Sequence, residues 1–414
     1  MVRLLNGIEP VPKTFYSGTQ RLITPENTLL RINCLLKVMG ITRVANVTGL
    51  DSIGIPVVIV SRPNSRSLAV SQGKGLNLAS AKASGIMESI ESYHAEHITL
   101  PLKYGSYEEL NYTHRLVDVE RLPKISGGLY HPNLKILWIE GYDIIQDELV
   151  WIPYEMVHTD YTLPLPVGSG CFPITSNGLA SGNHFLEAVS HGICEVVERD
   201  STTLWRYFSE EKKLKSRINL NTVDHVHCLR ILEKYKKANI EVAVWDTTTD
   251  VGIPSFLCTI IGKENNPLRP LYSTSGMGCH PVRHIALLRA LTEAAQSRLT
   301  FIAGSRDDAI RGKYERYLNQ DIHQYFRKQL EIKGPLRKYC EIPTWESKTL
   351  NEDVSWEISK LTSAGLKRVI VVDLTKSEFD IPVVRVVIPG LESTDEALGY
   401  EPGIRVKKQL ENST

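Results

Sequence analysis

At 414 residues the chain is long enough to bury a sizeable core, and 42% hydrophobic with 23% charged residues is ordinary for a globular protein. A formal net charge of +1 argues against a nucleic-acid or anionic-membrane partner, and no run of about 20 apolar residues is present to span a bilayer. The seven cysteines (34, 171, 194, 228, 258, 279 and 340) are odd in number and lack a CxxC pair. That suits reduced thiols in a cytoplasmic protein better than a disulfide framework or a zinc site.

Taken in chain order, the first 60 residues lead into a β-branched run, Ile41–Thr48, then a turn and Ile55–Val60. The same pattern returns as Ile240–Thr247 with Ile253–Ile261, and as Leu366–Thr375 with Ile381–Ile388. Each second run opens Ile-Pro, and proline is tolerated at the first position of a strand. Three related antiparallel hairpins are predicted. No low-complexity linker divides the chain, so residues 1–60 are expected to be integral to the fold, 61–410 to form one catalytic domain, and 411–414 to be a mobile tail.

Three small-residue stretches each precede a helical pattern. Gln72–Gly75 leads to a helix over about 78–97, Ser176–Asn183 to one over about 185–208, and Gly276–Cys279 to one over about 282–303. Read as loops, these stretches would offer helix starts with free N–H groups to phosphate oxygens.

Acids recur on those helices. Ser84, Glu88 and Glu91 share a sector of roughly 60°, and Glu187, Glu195 and Glu198 one of roughly 80°. Their neighbours are alanine, valine, isoleucine and glycine, so the carboxylates face a large desolvation cost without a cation. Five acids supply oxygen ligands for more than one Mg²⁺. Arg199, Arg298 and Lys74 would offset phosphate charge. The third helix carries Glu293, Gln296 and Arg298, with Arg306 just beyond it. Cys171, weighed as a nucleophile, has nothing local to lower its pKa. His184 and His191 read as packing groups beside Glu187, and Lys13 and Arg21 as cations able to reach phosphates from the N-terminal segment.

Ser84-xxx-Glu88-xx-Glu91, Asn183-xxx-Glu187-x7-Glu195-xx-Glu198-Arg199-Asp200 and Glu293-xx-Gln296-x-Arg298 together resemble the motifs of the YcaO-domain proteins, over roughly residues 15 to 410. The resemblance implies an α/β (α+β) fold and an ATP site without a Walker A loop; no G-x4-G-K-[ST] occurs. It implies Mg²⁺ held by Glu88, Glu91, Glu187, Glu195 and Glu198. Ser84, Asn183 and Arg199 would contact nucleotide or metal, with Gln296 and Arg298 nearby.

Gly18-Thr-Gln-Arg21, Gly40-Ile-Thr-Arg-Val44 and Leu50-Asp51-x4-Pro56 resemble the TfuA-associated branch. That branch is linked to peptide thioamidation, including a glycine thioamide in methyl-coenzyme M reductase of methanogens. Two departures stand out: Ser92 follows Glu91 where the family often has arginine, and the P-x-P-x-P C-terminus of azoline-forming cyclodehydratases is absent.

The expected chemistry is O-phosphorylation of a backbone amide by ATP, with Arg199, Arg298 and Gln296 at the reacting groups. Sulfide would then give a thioamide, and a neighbouring Cys, Ser or Thr an azoline. The implied partners are a peptide or protein substrate and a TfuA-like sulfur-delivery protein, with a possible homodimer. A non-catalytic nucleotide-binding accessory in a ribosomal-protein methylthiotransferase pathway is the alternative from another class.

Overall fold

The computed structural model describes residues 9–262, 273–308, 312, 315, 320–331, 336–393 and 399–411. In chain order, α1 (Pro25–Ile32) is followed by β1 (Arg43–Asn46), β2 (Val57–Ser61), β3 (Val70–Lys74) and α2 (Leu78–Glu96). Strands β4 (Leu102–Gly105), β5 (Ile136–Asp143), β6 (Glu148–Pro153) and β7 (Leu179–Ser181) precede α3 (Phe185–Arg206). Next come α4 (Val226–Lys237), β8 (Ile240–Asp246), β9 (Ser255–Gly262), β10 (Ser273–Cys279) and α5 (Arg283–Ala303). Finally α6 (Leu350–Ser363), β11 (Ile370–Asp373), β12 (Val383–Val387) and α7 (Ile404–Glu411) complete the chain.

All three predicted hairpins form: β1–β2, β8–β9 and β11–β12, each antiparallel. Each gains a third antiparallel strand on the Ile-Pro side, namely β3, β10 and β7 respectively. A helix follows that third strand and packs back on it: α2 on β3, α5 on β10, α3 on β7. The third unit is therefore assembled out of order, because its inner strand and helix precede its hairpin in the sequence. Its sheet is extended outward from β11 through β5 to β4 and β6.

The units interlock cyclically. Helix α2 also reaches β7, α3 reaches β10, and α5 reaches β3. Hydrophobic clusters fill the space between sheets and helices. One gathers Val58, Val60, Ile86 and Ile90, a second Val189, Ile193, Val384 and Val386, a third Phe256, Cys258, Leu287 and Leu291.

Gln72–Lys74 and Gly276–Cys279 belong to strands rather than the expected loops, and Ser176–Asn183 is a turn at Gly178 followed by the short strand β7. Gly73 and Gly278 are where helix backbones cross: a Cβ on Gly73 would collide with Ala81 O and Gly85 N, and one on Gly278 with Ala286 O. Glycine is needed for close approach rather than for a turn. The helix starts are also satisfied within the chain. Asn77 caps α2, and the His184 ring caps α3 by accepting from Leu186 N at 3.1 Å.

The N-terminal segment lies across the third unit. Leu22 N donates to Glu187 Oε2 at 2.9 Å, and α1 packs on α2. At the other end, residues through Glu411 form helix α7 rather than a loose tail. Val406 is buried there and Gln409 Nε2 donates to Leu204 O at 3.0 Å. Residues 412–414 lie outside the described residues.

Candidate active site

Glu88, Glu195 and Glu293 each stand ten residues beyond the first residue of their helices, Leu78, Phe185 and Arg283. Glu91, Glu198 and Gln296 each follow three residues later. One pattern, Glu-x-x-Glu/Gln, thus occurs on three equivalent helices, and the hydrogen bonds repeat with it.

Glu91 Oε1 accepts from Ser181 N at 2.8 Å and from Ser181 Oγ at 2.6 Å, and Glu198 Oε2 accepts from Cys279 N at 2.9 Å. Gln296 Oε1 accepts from Lys74 Nζ at 3.1 Å. Ser181, Cys279 and Lys74 occupy matching places on β7, β10 and β3, so each helix grips the inner strand of the next unit. Glu293 Oε1 takes Met277 N at 3.1 Å from its own inner strand, and its Oε2 takes Lys74 Nζ at 2.5 Å.

Charge is unevenly balanced around this junction. Burial raises the Glu88 carboxyl against the pull of Arg306 and Lys74. Burial pushes Glu91 up to about 8, and the charges of Glu88 and Glu195 add to it. Glu195 is raised by burial despite Arg199, Arg289 and Arg385, and Glu198 by burial and by the charge of Glu293. Only Glu293 is held below the ordinary range: burial works against its charge, but Lys74 and Arg199 outweigh it. Four acids are thus short of positive charge, which is the condition a divalent cation relieves. Hard carboxylate oxygens are the right donors for Mg²⁺. Among the described residues, however, no three acid, histidine or cysteine side chains already form a metal-ligating group.

The other expected residues fall as follows. Ser84 is exposed one turn before Glu88. Asn183 donates through Nδ2 to Thr28 Oγ1 at 3.0 Å and through its backbone N–H to Glu187 Oε1 at 3.2 Å, leaving its buried Oδ1 without a partner. Arg21 Nη1 lies 3.3 Å from Glu187 Oε1, so this pair belongs to the N-terminal clamp. Arg199 sits among Glu195, Glu198 and Glu293, with Nη1 3.7 Å from Met277 Sδ.

Arg298 does not join Glu293 and Gln296. Five residues past Glu293 is about 140° around the helix, and Arg298 Nε pairs instead with Asp51 Oδ2 at 2.9 Å. Lys13, expected near phosphates, is tied to Asp353 at 2.7 Å. The Cys171 thiol is pushed up to about 11 by burial, which agrees with setting it aside. His191 meets Arg289 Nη1 at 3.3 Å.

Sequence reasoning named Glu293 without giving it a role and missed two cations, Arg289 and Arg385. Glu293 was readable from its helix-start spacing, which matches Glu88 and Glu195. Arg289 is a cation among Ala286, Leu287, Leu288, Ala290 and Leu291, all buried. Arg385 interrupts the run Val383-Val384-Arg385-Val386-Val387 and is 2% exposed.

The fold and the site together define an α/β protein with a partly open cluster of acids and cations where three strand–helix units meet. The chain belongs to the YcaO family, described as YcaO cyclodehydratases binding ATP and Mg²⁺, with residues 72–392 matched. An uncharacterized protein in the tfuA 3′ region of Rhizobium leguminosarum bv. trifolii is 35% identical over 377 residues, covering 90% of this chain and 88% of that protein.

Two solved structures share the fold. The YcaO of Methanopyrus kandleri bound with AMPPCP and Mg²⁺ matches with TM-score 0.73 at 23% identity, over 95% of this chain and 98% of that one. A heterocyclase in complex with substrate and cofactor matches with TM-score 0.79 at 23% identity; it covers 98% of this chain, which spans only 56% of the heterocyclase.

Proposed function

We propose that this chain uses ATP with Mg²⁺ to phosphorylate a backbone-amide oxygen of a peptide or protein, and that sulfide then replaces that oxygen to leave a thioamide. The amide oxygen forms a bond to the γ-phosphorus as the bond to ADP breaks. Sulfide adds its sulfur to the carbon, the C–O bond breaks with phosphate leaving, and the sulfide proton passes to solvent. Phosphoryl transfer of this kind asks the protein for positioning and charge stabilisation more than for covalent chemistry.

The observation that carries the reading is the set of four charge-starved carboxylates, Glu88 and Glu91 on α2 and Glu195 and Glu198 on α3, whose helices meet at one junction. Glu88, Glu91, Glu195 and Glu198, with Glu187 and Glu293, are the residues that would hold Mg²⁺. When bound, Mg²⁺ neutralises the triphosphate and the acids together. In this reading Lys74, Arg199 and Arg289 would meet phosphate oxygens, supported by their position beside Glu293 and Glu198; Gln296 would hold Lys74 in position and Arg298 brace α5 through Asp51. Ser84 and Asn183 Oδ1 remain as polar contacts for nucleotide. Sulfide as the nucleophile is supported by the tfuA-region relative, and a TfuA-like protein is the proposed sulfur-delivery partner.

The cyclodehydratase description of the family favours a second reading, in which a substrate Cys, Ser or Thr side chain attacks and an azoline forms. One reaction separates the two. The chain is incubated with candidate peptide, ATP, Mg²⁺ and sulfide, with the peptide amide carrying a heavy-oxygen label. Thioamidation moves the label into phosphate and exchanges oxygen for sulfur in the peptide mass. Azoline formation also labels phosphate but removes water from the peptide. Label retained in the peptide while ATP is hydrolysed would overturn amide activation altogether.

A further inference from the structure

The cyclic repeat supplies a test of which charges the fold itself requires. Residues at matching places in the three units do the same structural work, so a charge found in one unit alone serves something besides folding. Glu187 stands two residues past its helix start, where the other helices carry Ser80 and Ile285. Arg199 stands fourteen residues past it, opposite Ser92 and Ser297. Arg199 is already in the cluster, and Glu187 holds Leu22 N and Arg21 of the N-terminal segment.

The same comparison singles out Arg385. Across the strand ladders Ile59 pairs with Gln72, Leu257 with Met277, and Arg385 with Leu179. The units that place Ile59 and Leu257 here bury them, at 6% and 5% exposed. Arg385 is more deeply buried still, yet only Nη2 has a partner, Thr175 O at 2.6 Å. Among the described residues Nε and Nη1 have none. A buried guanidinium with two idle donors opposes folding, and the sister units show that an apolar side chain fills this place.

The charges around it are Glu195, from α3, and Tyr161 and His158, from the segment before β7. Among the described residues the guanidinium forms no ion pair, so Glu195 approaches without closing one. Burial without a partner lowers Arg385 to about 10, against the pull of Glu195. An anion bound beside Glu195 would supply the counter-charge.

We propose that Arg385 is a further catalytic residue whose unpartnered N–H groups bind the phosphoryl group in transfer, as the γ-phosphate of ATP before the step and as the amide phosphate after it. This rests on the ATP-dependent reading of the site. Arginine suits the task because its donors are fixed and its charge persists.

The test uses the full chain and its variants Arg385→Leu and Arg385→Lys, with Mg²⁺ present throughout. Leucine copies the residue of a sister unit, so Arg385→Leu is expected to fold and to melt higher than wild type without nucleotide. Titration calorimetry with ATP and with ADP then reads the contact directly. The proposal expects Arg385→Leu to weaken ATP binding about ten- to a hundredfold, the range for a charged hydrogen-bonding group, while ADP affinity stays within about twofold. Arg385→Lys should recover part of the ATP preference.

Equal affinities of Arg385→Leu and wild type for ATP, or equal losses for ATP and ADP, would overturn the assignment. If wild type bound neither nucleotide, the ATP-dependent reading would fall and this one with it. If wild type prefers ATP through Arg385 but no peptide is modified, the phosphoryl contact stands and only the peptide chemistry is lost.

Discussion

Helix α5 sets two residues against each other. Glu293 lies within the charge cluster, whereas Arg298, five residues on, points to Asp51. The substitutions Glu293→Gln and Arg298→Gln are expected to have opposite signatures. Glutamine at 293 keeps one carbonyl oxygen, enough for either Lys74 Nζ or Met277 N, which now lie 2.5 and 3.1 Å from separate carboxylate oxygens. The Lys74 pair is about one-fifth exposed on both sides, so solvent screens part of its loss. Removing a negative charge also relieves Glu195 and Glu198, both raised in part by Glu293. These effects oppose one another, and we expect stability to change by no more than about 1 kcal/mol.

Turnover is a different matter, because an oriented charge at the transferring group is worth about a hundredfold or more in rate. For Arg298→Gln the partner Asp51 is only 5% exposed. Stranding it costs about 3 kcal/mol or more, and removing Asp51 as well should restore part of that. Urea melts and an ADP-release assay at saturating ATP with Mg²⁺ measure both quantities on the same samples. Wild-type turnover in Glu293→Gln, or a fully stable Arg298→Gln that has lost turnover, would refute this division of labour.

Glu195→Gln and Glu198→Gln are expected to abolish ADP release, and each should raise the melting temperature without ligands by removing a carboxylate that burial disfavours. Mg²⁺ with ATP should stabilise wild type by about 2.7 kcal/mol at a hundredfold excess over Kd, chelation should reverse the gain, and both variants should show little of it. A third measurement concerns acid stability. His94 is buried, with Nδ1 2.8 Å from Ile90 O, and burial lowers its pKa to about 4 from 6.5. The unfolded chain therefore binds the extra proton first. Stability is intact above pH 6.5 and falls as pH drops towards 4, by up to about 3 kcal/mol from this group. His94→Leu should flatten the pH dependence of urea melts over that window by a comparable amount; an unchanged slope would remove His94 as its source.

How far the sequence revealed this arrangement depends on the range of the interaction concerned. The hairpins were legible because strand pattern and Ile-Pro entry are local signals. Gly73 and Gly278 were misread as loop residues because their role is set by helices that pack on them, and in both cases glycine looked alike whether it turned or touched. The spacing of Glu88 and Glu91 was readable from helix geometry, while its third copy at Glu293 became visible only once the helix starts were aligned.

The pairing of Arg298 could not be read because its partner, Asp51, is 247 residues away in the chain. The third unit hid its symmetry more thoroughly, since β7 and α3 come before the β11–β12 hairpin they complete. Aligned in space, the three units separate what folding needs from what it does not. Valine, isoleucine and glycine recur at matching positions, and cations that break the match, Lys74, Arg199, Arg289 and Arg385, gather around the acids where the units meet. A repeat built from one packing scheme accounts for the shared apolar residues, so the charges gathered between the units, and among them those that occur in one unit alone, are where chemistry specific to this chain should be sought.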